Sequence, residues 1–206
     1  GSATPSVDSY ERAREGIYQL YELPLRVENR AMPGTEVVDL REELRMGNRS
    51  IFSARLKELM EDRLGKGQQI MLFLNRRGYA GFVSCRACGH VIKCPHCDVS
   101  LSLHGGGRMV CHYCGYQTRA AKKCPSCGSA YIGAFRAGTQ QVAEAAAKAF
   151  PGARILRMDF DTTRQKGGHE RILEAFSKKQ ADILVGTQMI VKGHDFPGVT
   201  LVGVLA

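Results

Sequence analysis

The sequence predicts an α/β fold in which a parallel β-sheet with helical crossovers is interrupted by a small cysteine-rich insert. Short apolar runs of strand length alternate with helical patterns of about ten to fifteen residues, as parallel sheets require. All eight cysteines lie between Cys85 and Cys127, in four Cys-x-x-Cys pairs. With 206 residues, 44% of them apolar, the chain suits one ordinary domain that carries such an insert.

Before the insert, the pattern predicts two helices and two strands. Thr4 suits the cap of a helix over 5–23, whose apolar residues form a stripe at helical spacing. Ser53 can cap an amphipathic helix that runs to Leu64, where glycines follow. The two strands are expected at 35–40 and 69–74.

Behind the insert, the alternation resumes with four strands and two helices. Thr139 can cap an alanine-rich helix, which Pro151 and Gly152 end after Phe150. The second helix is expected over 169–177. The strands are expected at 131–135, 153–158, 182–186 and 200–205.

The four Cys-x-x-Cys pairs predict two structural zinc sites. A pair with this spacing can present both thiolates to one ion from a tight turn, and two such turns make the tetrahedral set that Zn²⁺ accepts. A residue with positive φ, such as Gly, favours the turn after the second cysteine. No secretion signal accompanies the cysteines, which argues against disulfides. Iron–sulfur clusters and redox-active dithiols are the alternatives.

The spacing between the pairs indicates which cysteines share an ion. The thirteen residues between Cys97 and Cys111 alternate around three consecutive glycines, which predicts a hairpin. Because a hairpin brings its ends together, a nested pairing is favoured over a sequential one. One ion is then expected at Cys94, Cys97, Cys111 and Cys114, and the other at Cys85, Cys88, Cys124 and Cys127.

The charge balance is compatible with a polyanionic partner. Lys and Arg number 29 against 20 Asp and Glu, a net charge of +9, and the insert carries more than half of this excess. No apolar run approaches the roughly 20 residues of a membrane span, so a membrane protein is not expected. No Gly-x-x-x-x-Gly-Lys-Ser/Thr motif occurs, so the chain has no P-loop for a triphosphate.

Three stretches resemble motifs of superfamily 2 helicases. Gly1–Ser6 resembles their Ser-Ala-Thr motif, and Leu74–Gly78 (LNRRG) resembles the motif that opens their second RecA-like lobe. Ile183–Pro197 resembles the Gly-Thr-Gln…Lys-Gly-x-Asp-Phe-Pro motif of that lobe. With four Cys-x-x-Cys pairs between the last two motifs, the whole chain resembles the middle of the PriA family of bacterial replication-restart helicases.

The resemblance implies a RecA-like parallel-sheet lobe with a small zinc-ribbon-like insert that holds two zinc ions. Residues 1–34 would be the end of the first helicase lobe and a linker. Residues 35–84 and 128–206 would form the second RecA-like lobe, truncated at its C-terminus. Residues 85–127 would be the inserted zinc module.

The resemblance also implies which residues meet ATP or DNA in the full-length protein. Thr187 matches a position that contacts the DNA phosphate backbone, Asp195 an acidic position that faces the nucleotide, and Lys192 a position that meets phosphate of either ligand. The implied motif positions are Ser2, Ala3, Thr4, Gly186, Thr187, Gln188, Lys192, Gly193 and Asp195. Basic residues that follow strands add the DNA candidates Arg76, Arg77, Arg164 and Lys166.

The function implied by the resemblance is an ATP-dependent 3′-to-5′ DNA helicase with two structural Zn²⁺ ions and, in the full-length protein, ATP and Mg²⁺. The implied partners are branched or single-stranded DNA, single-strand-binding protein and primosome loading proteins, in the bacterial cytoplasm at the nucleoid and without a membrane. Because the P-loop, the magnesium motif and the arginine-finger segment are missing, the chain alone is not expected to hydrolyse ATP. The alternatives are a non-enzymatic zinc-ribbon protein that binds nucleic acid and a dithiol chaperone that releases zinc on oxidation.

Overall fold

The computed structural model describes residues 2, 4–24, 31–74, 82–134, 138–164, 167–187, 190 and 195–205, and it divides the chain into two units, residues 1–37 and 38–206. The helices are α1 (Val7–Arg14), α2 (Leu40–Arg45), α3 (Ala54–Gly65), α4 (Thr139–Ala149) and α5 (Gly168–Ser177). The strands are β1 (Gln69–Leu74), β2 (Val83–Cys85), β3 (Ser102–His104), β4 (Arg108–Val110), β5 (Gln117–Arg119), β6 (Ile132–Ala134), β7 (Ile155–Met158), β8 (Ile183–Gly186) and β9 (Val199–Leu205). Among the described helices, none has the length and apolar character needed to cross a bilayer.

The first unit contains α1, which is shorter than the helix predicted over 5–23. The N-cap is Ser6 and not Thr4, because the Ser6 hydroxyl accepts a hydrogen bond from the backbone N–H of Ser9. The helix stops early because Gly16 takes a φ of +80°, a conformation that ends helices. None of the residues of α1 is buried.

The second unit is built on a four-stranded parallel sheet, which confirms the predicted fold class. The strand order is β7-β8-β1-β9, and all three neighbouring pairs are parallel. The register places Ile70 opposite Ile183 on β8, and Met158 of β7 opposite Gly186. All four residues of β8 are buried, as expected for a central strand that helices cover on both faces.

Two apolar clusters cover the two faces of this sheet. Helices α3 and α4 pack on one face and contribute the buried Met60 and Val142, and α5 packs on the other and contributes Phe176. Successive residues of β8 alternate between the clusters, since Ile183 belongs to the first and Leu184 to the second. The sheet is therefore wound on both sides, in the manner that the alternation of strands and helices predicts.

The strand predicted over 35–40 is wrong. The chain there enters α2, because the Asp39 side chain accepts a hydrogen bond from the backbone N–H of Arg41 and caps that helix. Val37, whose apolar character suggested a strand, is 91% exposed. The helix predicted from Ser53 is confirmed, because the Ser53 hydroxyl caps α3 by accepting from the N–H of Leu56.

Two elements behind the insert differ from the expectation. Thr139 is the first residue of α4 and not its cap, a place that Gly138 takes. The Thr139 hydroxyl instead donates to the Asp159 carboxylate. Its contact is therefore with the loop after β7 and not with the N–H groups at the start of the helix. The strand predicted at 131–135 exists as β6, but it pairs antiparallel with β2 and does not join the parallel sheet.

Strand β9 is the last described strand on its side of the sheet. Its residues alternate, since Gly203 and Leu205 are buried whereas Val202 and Val204 are more than half exposed. The buried face contacts α3, where a Cβ on Gly203 would lie 3.1 Å from Leu56 Cδ1. One face of β9 is therefore apolar and open.

Gly186→Ala is expected to destabilise the second unit by about 1–3 kcal/mol, because overpacking forces neighbouring atoms to shift. A Cβ at this position would lie 2.6 Å from Ile190 Cγ2 and 2.8 Å from the carbonyl oxygen of Met158. Urea denaturation followed by circular dichroism measures the change. Gly152→Ala is the control, because a Cβ there has no neighbour within 4 Å. Equal stability of the two variants would contradict the prediction.

Candidate metal centres and motif residues

The cysteines lie in a module, residues 82–134, which is wider than the predicted insert 85–127 and contains two small antiparallel sheets. One is formed by β2 and β6, and the other by β3, β4 and β5. The predicted hairpin is β3–β4, with Ser102 opposite Val110 and the three glycines in a 3₁₀ turn between the strands. The module has its own apolar cluster, which includes Val83, Leu101 and Met109. The third strand, β5, was not predicted.

All four Cys-x-x-Cys pairs share one backbone turn. The residue after the second cysteine donates its N–H to the carbonyl of the first cysteine, over 2.8–3.0 Å. The N–H of the first cysteine donates to the carbonyl five residues further on, at 2.8 Å in each pair. The residue after the second cysteine has positive φ, from 55° to 78°, as predicted. These residues are Gly89, Asp98, Gly115 and Gly128.

The four turns gather the eight sulfurs into two sets of four, each with all its Sγ atoms within 4.8 Å of one another. The sulfurs are 3.7 Å apart for Cys85 and Cys127 and 3.5 Å for Cys94 and Cys114. Two sulfurs bound tetrahedrally to one zinc ion stand about 3.8 Å apart, whereas a disulfide is about 2.05 Å long. The first cluster is Cys85, Cys88, Cys124 and Cys127, and the second cluster is Cys94, Cys97, Cys111 and Cys114. These are the nested sets that the hairpin favours.

The donor sets fit two structural zinc ions. Four sulfurs in each cluster supply all the ligands of a tetrahedral ion, so neither cluster keeps a position for a reacting water. Each cluster has two buried, one half-buried and one exposed cysteine, and the exposed ones are Cys114 and Cys127. The clusters can therefore hold the module together, and their chemistry is structural rather than catalytic.

The thiols of the second cluster influence one another's ionisation. The backbone N–H of Cys114 donates to the Cys111 sulfur and, against the effect of burial, lowers the pKa of Cys111 to about 7. The hydrogen bond with the Cys114 sulfur and then burial raise the pKa of Cys97 to about 12. At neutral pH the Cys97 thiol therefore keeps its proton unless a cation stabilises the thiolate. Because zinc binds cysteine as the thiolate, binding of a metal ion must release protons.

Candidate residues of the helicase motifs lie at the carboxyl edge of the parallel sheet. Gly186 ends β8, and the half-buried Thr187 follows it, with its carbonyl accepting from the N–H of Ile190 at 3.1 Å. Arg164 follows the neighbouring strand β7 and is exposed, with its guanidinium 5.3 Å from the centre of the Phe160 ring. The carboxyl edge is where parallel sheets bind ligands. Asp195 is exposed, but it precedes β9 and is not placed at this edge.

The loop after β7 is fixed by Asp159. Burial works against ionisation of this carboxyl, but hydrogen bonds from Thr139 and Thr162 and the charge of Arg157 outweigh it, so the pKa of Asp159 is lowered. The Thr163 hydroxyl donates to the Asp159 carbonyl at 2.7 Å. This network holds the segment that carries Phe160 and Arg164, and sequence reasoning did not detect it.

Other predicted positions lie elsewhere or outside the described residues. Ser2 and Thr4 are exposed in the first unit, where the Ser2 hydroxyl accepts from the Thr4 N–H at 3.1 Å. The positions outside the described residues are Ala3, Arg76, Arg77, Lys166, Gln188, Lys192 and Gly193.

Arg86 is a further contact residue that the sequence did not predict. Its guanidinium donates to the backbone carbonyl oxygens of Ser50 at 2.5 Å and Arg49 at 2.9 Å. The available signal was its place between the two cysteines of a Cys-x-x-Cys pair, although this place does not indicate which acceptor the guanidinium meets.

Known proteins match both the module and the whole chain. The family model described as the PriA DNA helicase Cys-rich region (CRR) domain matches residues 94–119. The chain is 55% identical to the "Replication restart protein PriA" of Bacillus subtilis (strain 168), 49% to that of Synechocystis sp. and 38% to that of Haemophilus influenzae, each over 100% of its length. The chain matches a fragment of PriA. It spans 26%, 26% and 28% of these three PriA proteins.

The PriA Cys-rich match covers only part of the module. Residues 94–119 include the second cluster and all of β3, β4 and β5. The first cluster and the strands β2 and β6 lie outside the matched residues. The module of this chain thus has an inner part, which the family model matches, and a base formed by the first cluster.

Proposed function

We propose that the full-length protein is an ATP-dependent 3′-to-5′ DNA helicase in replication restart, to which this chain contributes the second motor lobe and a zinc module. The similarity of the whole chain to PriA proteins, at 55% identity with the Bacillus subtilis protein, carries this proposal. A non-enzymatic zinc-ribbon protein would account for the two cysteine clusters, but it would leave the four-stranded parallel sheet without a purpose.

The proposed domain organisation assigns residues 1–34 to the end of the first lobe and its linker. Residues 35–84 and 128–206 belong to the second RecA-like lobe, and residues 85–127 form the inserted zinc module. The division of the chain after Val37 supports the first boundary. The antiparallel pairing of β2 with β6, which joins the two ends of the insert, supports an insert at this place in the chain, although β2 and β6 extend beyond 85–127.

The proposed motor site uses the carboxyl edge of the parallel sheet together with Asp195, which precedes β9. Thr187 contacts a DNA phosphate through its hydroxyl, since hydroxyls and backbone N–H groups are common phosphate donors. Asp195 faces the nucleotide, and Arg164 adds a phosphate contact that salt weakens. The place of Thr187 directly after the buried β8 supports this assignment. Further positions of the same site are Ser2, Ala3, Thr4, Arg76, Arg77, Lys166, Gly186, Gln188, Lys192 and Gly193.

The proposed partners are branched or single-stranded DNA, single-strand-binding protein and primosome loading proteins, met in the bacterial cytoplasm at the nucleoid. The net charge of +9 supports a polyanionic partner, and the module carries more than half of it. The Cys₄ clusters keep the module stiff enough to be a docking surface, and they take no part in the chemistry. ATP and Mg²⁺ bind the full-length protein.

Thr187→Ala and Asp195→Asn in the full-length protein are expected to lower DNA-stimulated ATP hydrolysis by about tenfold, the typical loss of a hydrogen bond to a charged group. Zinc content should stay at two ions per chain, because both residues lie outside the module. Thr200→Ala is the matched control, since Thr200 is exposed on β9 and donates to Gln68. Unaltered ATPase in both variants would remove the assignment of these two residues.

The 206-residue chain alone is expected to show no ATP hydrolysis, because its sequence holds no P-loop motif. A coupled ATPase assay with single-stranded DNA measures this. Turnover above the background of a mock purification would contradict the expectation.

A further inference from the structure

The module contacts the lobe at the first cysteine pair. Arg86, inside this pair, reaches the loop 48–52, which leads into α3. Its Nη1 donates to the carbonyl oxygen of Arg49 at 2.9 Å, and its Nη2 donates to those of Ser50 at 2.5 Å and Asn48 at 3.4 Å. One forked cation therefore binds three consecutive carbonyls, which a guanidinium can do and a single ammonium does poorly.

The loop that receives Arg86 is itself fixed to the core of the lobe. The Asn48 side-chain amide donates to the Phe52 carbonyl at 3.0 Å, and the N–H of Ser50 donates to Asn48 Oδ1 at 2.9 Å. Phe52 is buried in the apolar cluster under α3 and α4. A contact with this loop therefore positions the module against the lobe as a whole.

Two further contacts join the same surfaces. Arg41 of α2 lies against the turn of the first pair, where a Cβ on Gly89 would be 3.6 Å from Arg41 Nη1. The Arg49 guanidinium lies 5.7 Å from the centre of the Tyr131 ring, next to β6. The docking surface thus includes both ends of the module and two arginines of the lobe.

The charge of a zinc-loaded first cluster is complementary to that of Arg86. Arg86 Nε is buried and has no hydrogen-bond partner among the described residues. The residue is half-buried and its two Nη atoms are hydrogen-bonded, so Nε is the one donor of this guanidinium that a nearby negative charge would compensate. A zinc ion with four thiolates carries a formal charge of about −2, and Cys85 and Cys88 flank the segment that holds Arg86.

We propose that zinc at the first cluster docks the module onto the lobe through Arg86, whereas zinc at the second cluster folds only the inner part of the module. The ion fixes the turn that aims Arg86 and supplies the negative charge beside it. Arg86 is in this sense a positioning residue. The inference goes beyond the proposed function, because it depends on zinc and on these contacts and not on ATP hydrolysis.

The first test removes the side chain and keeps the ion, in the zinc-loaded 206-residue chain. With Arg86→Ala, hydrogen exchange at the amides of Asn48, Ser50 and Phe52 is expected to be about tenfold faster, with two zinc ions still bound. Arg86→Lys should fall between this variant and the parent chain. Arg119→Ala, an exposed cation on β5, is the control and should change nothing in the loop. Parent-like exchange in Arg86→Ala overturns the proposal.

The second test removes one ion at a time with matched variants. Cys124→Ser and Cys94→Ser each replace a cysteine that is buried, with 3% and 2% exposure, and each should lower the zinc content to one. Only Cys124→Ser is expected to speed exchange in the loop 48–52, whereas Cys94→Ser should leave the loop protected. Equal exchange in the two variants, or fast exchange that extends into β1 and β8, overturns the proposal.

Discussion

Cys94→Ser is expected to remove one of the two zinc ions and to unfold the β3–β4–β5 sheet, while the parallel sheet stays folded. The second cluster then offers three thiolates, and a structural zinc site contributes about 10–16 kcal/mol of binding free energy to folding. The inner part shares one small apolar cluster with Val83 of β2 and Ile132 of β6, and this cluster cannot replace that contribution. The parallel sheet has separate clusters and does not depend on this ion.

Native mass spectrometry measures the zinc content of the variant, and amide hydrogen exchange measures which strands unfold. The variant should bind one zinc ion, lose protection in β3, β4 and β5, and keep it in β1 and β8. Tyr113→Ala is the control, because Tyr113 lies between Cys111 and Cys114, is 84% exposed and offers no ligand. Loss of protection in the parallel sheet would show that the module and the lobe share one folding unit.

Phe176→Ala is expected to lower the free energy of unfolding of the second unit by about 3–5 kcal/mol, the usual cost of removing a buried phenyl ring. Phe176 is fully buried in the cluster under α5, with Met158 and Leu184. Its ring also meets that of Phe196 edge-on, with the ring centres 5.2 Å apart. Phe196 follows Asp195 in the chain. The cavity that Phe176→Ala would leave therefore lies near the residue that is proposed to face the nucleotide.

Urea denaturation of the zinc-loaded chain gives the size of the Phe176 effect. The matched control is Phe160→Ala, since Phe160 is 72% exposed and surface substitutions usually change stability by no more than about 0.5 kcal/mol. Similar losses in the two variants would mean that the second apolar cluster is not part of the cooperative core.

Features that depend on local chemistry were predictable from the sequence. The four Cys-x-x-Cys pairs carry their own turn, so the positive φ after each pair and the hairpin around Gly105-Gly106-Gly107 could be predicted. The apolar runs of β1 and β8 are long enough to indicate buried strands. These predictions needed no knowledge of distant contacts.

Features that depend on distant partners were not predictable in this way. Thr139 has the chemistry of a cap, but Asp159, twenty residues away, takes its hydroxyl. The 131–135 segment has strand character, but its partner was β2 and not the parallel sheet. The role of Arg86 depends on carbonyl oxygens more than thirty residues earlier in the chain, and no local pattern indicates such an acceptor.

The open apolar face of β9 bears on how the chain behaves in solution. Val202 and Val204 face outward on a strand that has no further described neighbour. The outer edge of this strand has no partner strand among the described residues, and such an edge is a template for the backbone of a second copy. Concentrated preparations of the chain alone are therefore expected to self-associate along β9, and Val204→Lys is the substitution that should keep them monomeric.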